Sequence, residues 1–141
     1  MIGVIIVGHG EFAHGLHSVI ELVAGKQERL ELVKFLQSDS SETLKNNLKV
    51  AIEKLNTKET IIFTDIPGGT PYKESVLLSS ELENIEVISG TNVPMLLEIL
   101  FDRAEGAIAD VKERAIDTGK KQILSFEVES SEQTNDYEEG I

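Results

Sequence analysis

The chain holds three histidines, and His9 differs from the other two in its setting. It is flanked by Gly8 and Gly10 and directly follows the apolar run GVIIVG at 3–8, whereas His14 and His17 lie in a stretch of helical periodicity. Imidazole suits reversible proton or phosphoryl exchange near neutral pH: it is a nucleophile when neutral and a good leaving group when protonated. Its glycine neighbours leave it accessible. Asp65 closes a second apolar run, TIIFTD at 60–65. A carboxylate bonded to one ring nitrogen would fix the tautomer and leave the other nitrogen free to attack phosphorus. The segment Pro67-Gly68-Gly69-Thr70-Pro71 follows, with glycines that allow close backbone approach to an anion and a threonine hydroxyl that can donate to it. Ser89-Gly90-Thr91-Asn92 ends a later apolar run in the same manner and offers a neighbouring wall. From the residues alone, GHG also reads as a tight turn, Asp65 as a turn or helix cap, and Ser89–Asn92 as a plain turn.

Other chemistries find less support. His14 and His17 stand at i and i+3, but no cysteine is present and no helical Asp or Glu completes a ligand set with them, so no metal is expected. The chain has neither a G-x-x-x-x-G-K-S/T loop nor a G-x-G-x-x-G fingerprint, which disfavours a nucleotide-fuelled kinase. No cofactor is implied.

These residues need elements to carry them. GVIIVG at 3–8 is a continuous apolar run of the kind buried on both faces of a parallel sheet, and residues 13–24 carry Leu16, Ile20 and Val23 or Ala24 at helical spacing before Gly25. LELVKFL at 30–36 reads as a second strand. It is followed by a helix over 38–55 with Leu44, Leu48, Ala51, Ile52 and Leu55 on one face behind Ser and Asp caps. TIIFTD is a third strand, YKESVLLSSEL a short helix and EVISG at 86–90 a fourth strand; helices follow over Val93–Arg103 and Ala107–Gly119. QILSFEVE at 122–129 alternates as a strand with one wetter face, on an edge or antiparallel. Residues 130–141, SSEQTNDYEEGI, read as a disordered acidic tail. The alternation predicts a single-domain α/β fold over 1–129, a doubly wound and mostly parallel sheet with helices on both faces. In such sheets ligands sit outside the carboxyl ends of the strands, where the order reverses. His9 and Asp65 both fall at strand ends.

The composition restricts partners. With 13 basic and 25 acidic residues among 141, the formal charge is -12, which repels nucleic acid backbones and anionic lipid heads. The absence of cysteine fits a reducing compartment, and cytoplasmic localisation is the expectation. The first apolar run is too short to span a bilayer and lacks a basic leader, so it is read as a strand, with no direct membrane insertion.

IIVGHGEFAHGL, IIFTDIPGGTPY and VISGTNVPMLLE, in this order and spacing, resemble the EIIA domains of mannose-type sugar phosphotransferase systems over about residues 1–128. The resemblance implies that His9 is the phosphorylated histidine, that Asp65 orients it, and that Thr70 is the hydroxyl residue beside it, with Gly68 and Gly69 in the phosphate cradle. It implies phosphorylated HPr as donor, an EIIB protein as acceptor for sugar uptake, and a homodimer in which the last strand is exchanged between subunits. The chain carries an acidic tail where longer relatives carry an EIIB domain, so the expected acceptor is a separate protein. Two alternatives share the fold: the phosphotransfer subunit of a phosphoenolpyruvate-dependent dihydroxyacetone kinase, and a non-enzymatic regulatory module such as a receiver. A receiver needs clustered carboxylates after strand one, where this chain has GHG and a single Glu11.

Overall fold

A computed structural model describes residues 1–128. The elements run β1 (Gly3–His9), α1 (Phe12–Ala24), β2 (Leu30–Phe35), α2 (Ser41–Leu55), β3 (Thr60–Thr64), α3 (Thr70–Glu81), β4 (Ile85–Ile88), α4 (Val93–Asp102) and α5 (Ile108–Lys121). The four strands form one sheet in the order β2-β1-β3-β4, and every pairing is parallel. After β2 the chain crosses back over β1 to lay down β3, so the order reverses between β1 and β3. A crevice opens at that point of a doubly wound sheet, outside the carboxyl ends.

The apolar run of β1 is buried on both sides because a pleated strand alternates its side chains. Val4 and Ile6 pack with Ile61 and Phe63 against α1, α4 and α5 through Ala13, Ile20, Leu96, Ile99, Val111 and Ala115. Ile5 and Val7 face the opposite side, with Val33 and Ile62, against Leu44, Leu48 and Leu55 of α2 and Leu78 of α3. Burying each large side chain of this kind contributes roughly 1.5–3 kcal/mol. Two packed layers on one sheet therefore hold the strand ends rigid.

Two of the helices, α2 and α4, start where a side chain satisfies one of their first N–H groups. Ser40 accepts from Thr43 N–H at 3.1 Å ahead of α2, and Asn92 Oδ1 accepts from Met95 N–H at 3.2 Å ahead of α4. α3 begins at Thr70, two residues before the stretch read as helical in the sequence, because Pro71 suits a first turn, whose N–H groups have no acceptor anyway. β4 stops at Ile88, beyond which Gly90 and Thr91 bond the carbonyls of Asp65 and Thr64 in a turn.

The strand expected over 122–129 does not form. α5 continues to Lys121, Gln122 ends it, and residues 123–128 take no regular structure. Alternation makes a strand only where a backbone ladder is available, and this segment joins neither edge of the sheet, leaving Ile123, Leu124 and Val128 exposed. The sheet of the described residues is thus wholly parallel. Glu129 and the acidic tail assigned to 130–141 lie outside the described residues.

At the amino end of the sheet a single side chain ties three segments together. Arg103 ends α4, is almost completely buried, and donates through Nη1 to the carbonyls of Arg29 at 2.9 Å and Ile2 at 3.4 Å and through Nη2 to that of Glu28. Burial lowers its pKa and the charge of Glu28 opposes that shift; a guanidinium stays protonated under both influences.

Candidate functional site

β1 ends in His9, and β3 hands the chain to Asp65 in the next position of the adjacent strand, so the two side chains meet across the crevice. Asp65 Oδ2 accepts from the backbone N–H of His9 at 2.8 Å and lies 2.6 Å from His9 Nδ1. Its other oxygen, Oδ1, accepts from Ile66 N–H at 2.8 Å. A carboxylate can only accept, so the Nδ1 contact calls for a proton on Nδ1, and in the neutral ring it leaves Nε2 with its lone pair. The His9 side chain is 47% exposed while that of Asp65 is 8% exposed, a reactive group facing outward on a sheltered support. Burial acts to raise the Asp65 pKa, but the bonds from the His9 backbone, the His9 ring and Ile66 N–H outweigh it, and the carboxyl is held below its usual range.

The glycine turn closes one side of the ring. Gly68 sits at φ 83°, a left-handed conformation that L side chains rarely adopt. Gly69 precedes α3, and a Cβ placed there would lie 3.2 Å from His9 Cε1 and 3.4 Å from the Ile66 carbonyl oxygen, so only a bare backbone fits this approach without displacement. The start of α3, with its unsatisfied N–H groups and positive dipole end, is therefore set beside the imidazole. Thr70 opens that helix, half-buried; among the described residues it makes no hydrogen bond to His9 or Asp65. The elements thus bring His9, Asp65 and Gly69 into contact and leave Thr70 one residue beyond.

Phe35, which the sequence reading did not single out, packs edge-on against His9 with ring centroids 5.6 Å apart. Its signal was available: it ends the second apolar strand, in register with His9. Phe35, Leu36 and Gln37 line a cavity of about 370 Å³ with His9 and Gly10. Lys34 donates to Glu11 at 2.9 Å and holds that exposed carboxyl below its ordinary pKa. Such an exposed pair contributes little to stability. His17 stands 3.6 Å from Glu21 on α1, away from His9, and the described residues contain no group of three potential metal ligands.

Ser89–Asn92 makes no hydrogen bond to the ring among the described residues. Asn92 caps α4 and donates to the Gly119 carbonyl at 3.0 Å, while Gly90 and Thr91 bond the backbone of β3 on either side of Asp65.

A match to known proteins settles which family builds this crevice. The EIIA-man family, described as PTS system fructose IIA component, matches residues 3–116. The chain belongs to that family. It is 30% identical over 138 residues to the PTS system fructose-specific EIIA component of Bacillus subtilis, covering 96% of this chain and 94% of that one. It is 29% identical over 133 residues to the mannose-specific EIIAB component of Escherichia coli, covering 93% of this chain but only 41% of that protein's length. Among solved structures, phosphotransferase system component EIIA from Streptococcus agalactiae superimposes with a TM-score of 0.84 at 35% identity, over 89% of this chain and 98% of that one. No helix of the described residues is long and apolar enough to cross a membrane.

Proposed function

We propose that this EIIA is a cytoplasmic phosphohistidine carrier in which His9 Nε2 takes a phosphoryl group from phosphorylated HPr and passes it to an EIIB domain or protein. The observation that carries the reading is the 2.6 Å contact between His9 Nδ1 and Asp65 Oδ2 on a half-exposed ring, which leaves Nε2 as the nitrogen not engaged by the carboxylate. In the transfer, the Nε2 lone pair attacks phosphorus, the phosphorus–nitrogen bond to the donor's histidine breaks, and its electron pair returns to the donor ring. No proton leaves Nε2, because the tautomer has none there. The ring gains positive character, and Asp65 stabilises it through Nδ1–H without accepting phosphate. Charge in such transfers lies largely on the equatorial oxygens, so fixed donors stabilise it without covalent chemistry. The N–H groups of Gly68 and Thr70 and the Thr70 hydroxyl are the donors assigned here, Gly69 N–H being taken by the Ile66 carbonyl at 3.1 Å while its bare Cα lets the turn come close. They start the helix whose first residue follows the ring contact.

The test is phosphoryl labelling in a phosphoenolpyruvate-driven relay. Wild type should take one acid-labile, alkali-stable phosphoryl group and His9→Ala none; equal labelling of the variant would sink the assignment. The relatives' names include mannose, fructose and sorbose systems, and the carrier itself touches only proteins and phosphate.

The same reading includes a homodimer in which residues 122–129 become a strand on the partner's sheet. Its support is a set of apolar side chains that the sheet of one chain leaves uncovered: Ile123, Leu124 and Val128 are exposed beyond the end of α5. Sedimentation should give a dimer for the full chain and a monomer for a chain ending at Lys121. A monomeric full chain at micromolar concentration would remove the exchange.

A further inference from the structure

Orientation of His9 depends on Asp65, and the fixing of Asp65 depends on a turn that makes no hydrogen bond to the imidazole among the described residues. β4 ends at Ile88, and Ser89-Gly90-Thr91 folds back across the end of β3. There Thr91 Oγ1 donates to the Thr64 carbonyl at 2.7 Å, and Thr91 N–H donates to the same oxygen at 3.3 Å. Gly90 N–H donates to the Asp65 carbonyl at 2.9 Å. The Thr64 carbonyl belongs to the peptide plane before the Asp65 Cα and the Asp65 carbonyl to the plane after it. Both planes are therefore held by one turn. Thr64 adds a reciprocal tie, its Oγ1 donating to the Ile88 carbonyl at 3.0 Å. Thr64 is fully buried and Thr91 nearly so, which strengthens these bonds relative to exposed ones.

We infer that Thr91, with Thr64, is a positioning residue for phosphoryl transfer: the clamp on both peptide planes of Asp65 sets where its carboxylate stands and hence which His9 nitrogen is left for phosphorus. Its neighbour Asn92 already caps α4, so the cap does not account for the Thr91 hydroxyl. The hydroxyl goes across the sheet to β3. The demand on its position is tight, because Oδ2 must serve His9 N–H and His9 Nδ1 together while Oδ1 stays on Ile66 N–H. Rotation of either flanking plane would trade one of these bonds against another. A misplacement of about 1 Å in a supporting group can cost on the order of a hundredfold in rate, so a partial loosening of the clamp is expected to cost about tenfold.

The inference rests on His9 as the phosphoryl carrier, and its test is chosen to fail separately from that reading. Thr91→Val keeps the side-chain shape and removes the hydroxyl; Thr91→Ser keeps the hydroxyl and removes the methyl. Two quantities are measured on the full chain: the transfer rate from phospho-HPr at saturating and limiting donor, and the imidazole nitrogen-15 shifts of His9 without phosphate. Thr91→Val should lower the saturated rate about tenfold with half-saturation unchanged, and convert His9 from one Nδ1–H tautomer to a mixture. Thr91→Ser should restore both. A folded Thr91→Val with the wild-type tautomer and rate overturns the inference, and so does a Thr91→Ser variant as slow as Thr91→Val, which would make the methyl packing the cause. Should Thr91→Val not fold, Thr64→Val removes the reciprocal tie and is read by the same two quantities. If the wild-type chain takes no phosphoryl group on His9, the carrier reading falls, while the nitrogen-15 shifts still decide whether the clamp sets the tautomer.

Discussion

The two ends of this sheet solve opposite problems with the same kind of tool, a side chain bonded to backbone. At the amino end the charge is buried and spent: Arg103 is enclosed and its guanidinium donates to the carbonyls of Ile2, Glu28 and Arg29. At the carboxyl end the charge is sheltered but aimed: Asp65 accepts three N–H bonds and directs a ring that stays half open to solvent. The first arrangement encloses even its unbonded Nε, out of reach of a partner protein; the second leaves the His9 ring half exposed. In a doubly wound fold this division follows from the dipoles of the helices. The negative ends of α1 to α4 gather at the amino edge of the sheet, where a cation fits, and their positive ends at the carboxyl edge, where an anion fits; α5 runs the other way.

The largest effect expected from separating the two ends is at Arg103. Arg103→Met keeps much of the apolar stem and removes the donors that three backbone carbonyls share. Each buried acceptor left unpaired costs about 1–3 kcal/mol, and partial access of water reduces the sum, so a loss of roughly 2–4 kcal/mol is expected in urea unfolding. Phosphoryl transfer by the folded variant at saturating donor should stay within about twofold of wild type, since nothing at the amino end touches the ring. A folded Arg103→Met whose transfer rate falls tenfold would end the division of labour between the ends.

The same contrast explains what the sequence made legible. All four strands and five helices of the described residues were readable from apolar runs and helical spacing, because both faces of this sheet are covered and the burial pattern dominates local preference. His9 and Asp65 were readable as strand-end residues, since the fold class places ligands there. Phe35 was not, because an aromatic at the end of an apolar run looks like core until the register puts it opposite His9. The role of Thr91 was hidden for a different reason: its partner is a backbone carbonyl, and a carbonyl leaves no trace in residue type. Arg103 was hidden in the same way, appearing only as the end of a helix. The segment after α5 carries a real strand pattern, but a pattern of side chains does not say whether one chain supplies the ladder.

A smaller effect, with the opposite signature, is expected from Gly69→Ala. The backbone there, at φ -71° and ψ 168°, is open to any residue, so alanine introduces no conformational strain. What it introduces is a methyl group 3.2 Å from His9 Cε1, close enough that something must yield by a few tenths of an ångström, and 3.4 Å from the Ile66 carbonyl oxygen, which leaves no room on the other side. The carbonyl is fixed, since it accepts from Gly69 N–H at 3.1 Å. The half-exposed ring is the partner that can move, and a shift of the ring is expected to disturb its 2.6 Å contact to Asp65. Stability should fall by no more than about 1 kcal/mol, the cost of alanine in place of glycine before a helix. Transfer at saturating donor should slow by about tenfold, or roughly 1.4 kcal/mol in the barrier. Measured side by side, Arg103→Met should shift the urea midpoint and spare the rate, and Gly69→Ala should slow the rate and nearly spare the midpoint. Wild-type transfer by Gly69→Ala would mean that the ring has slack toward α3, and the close approach of the glycine turn would then have to be explained by packing alone.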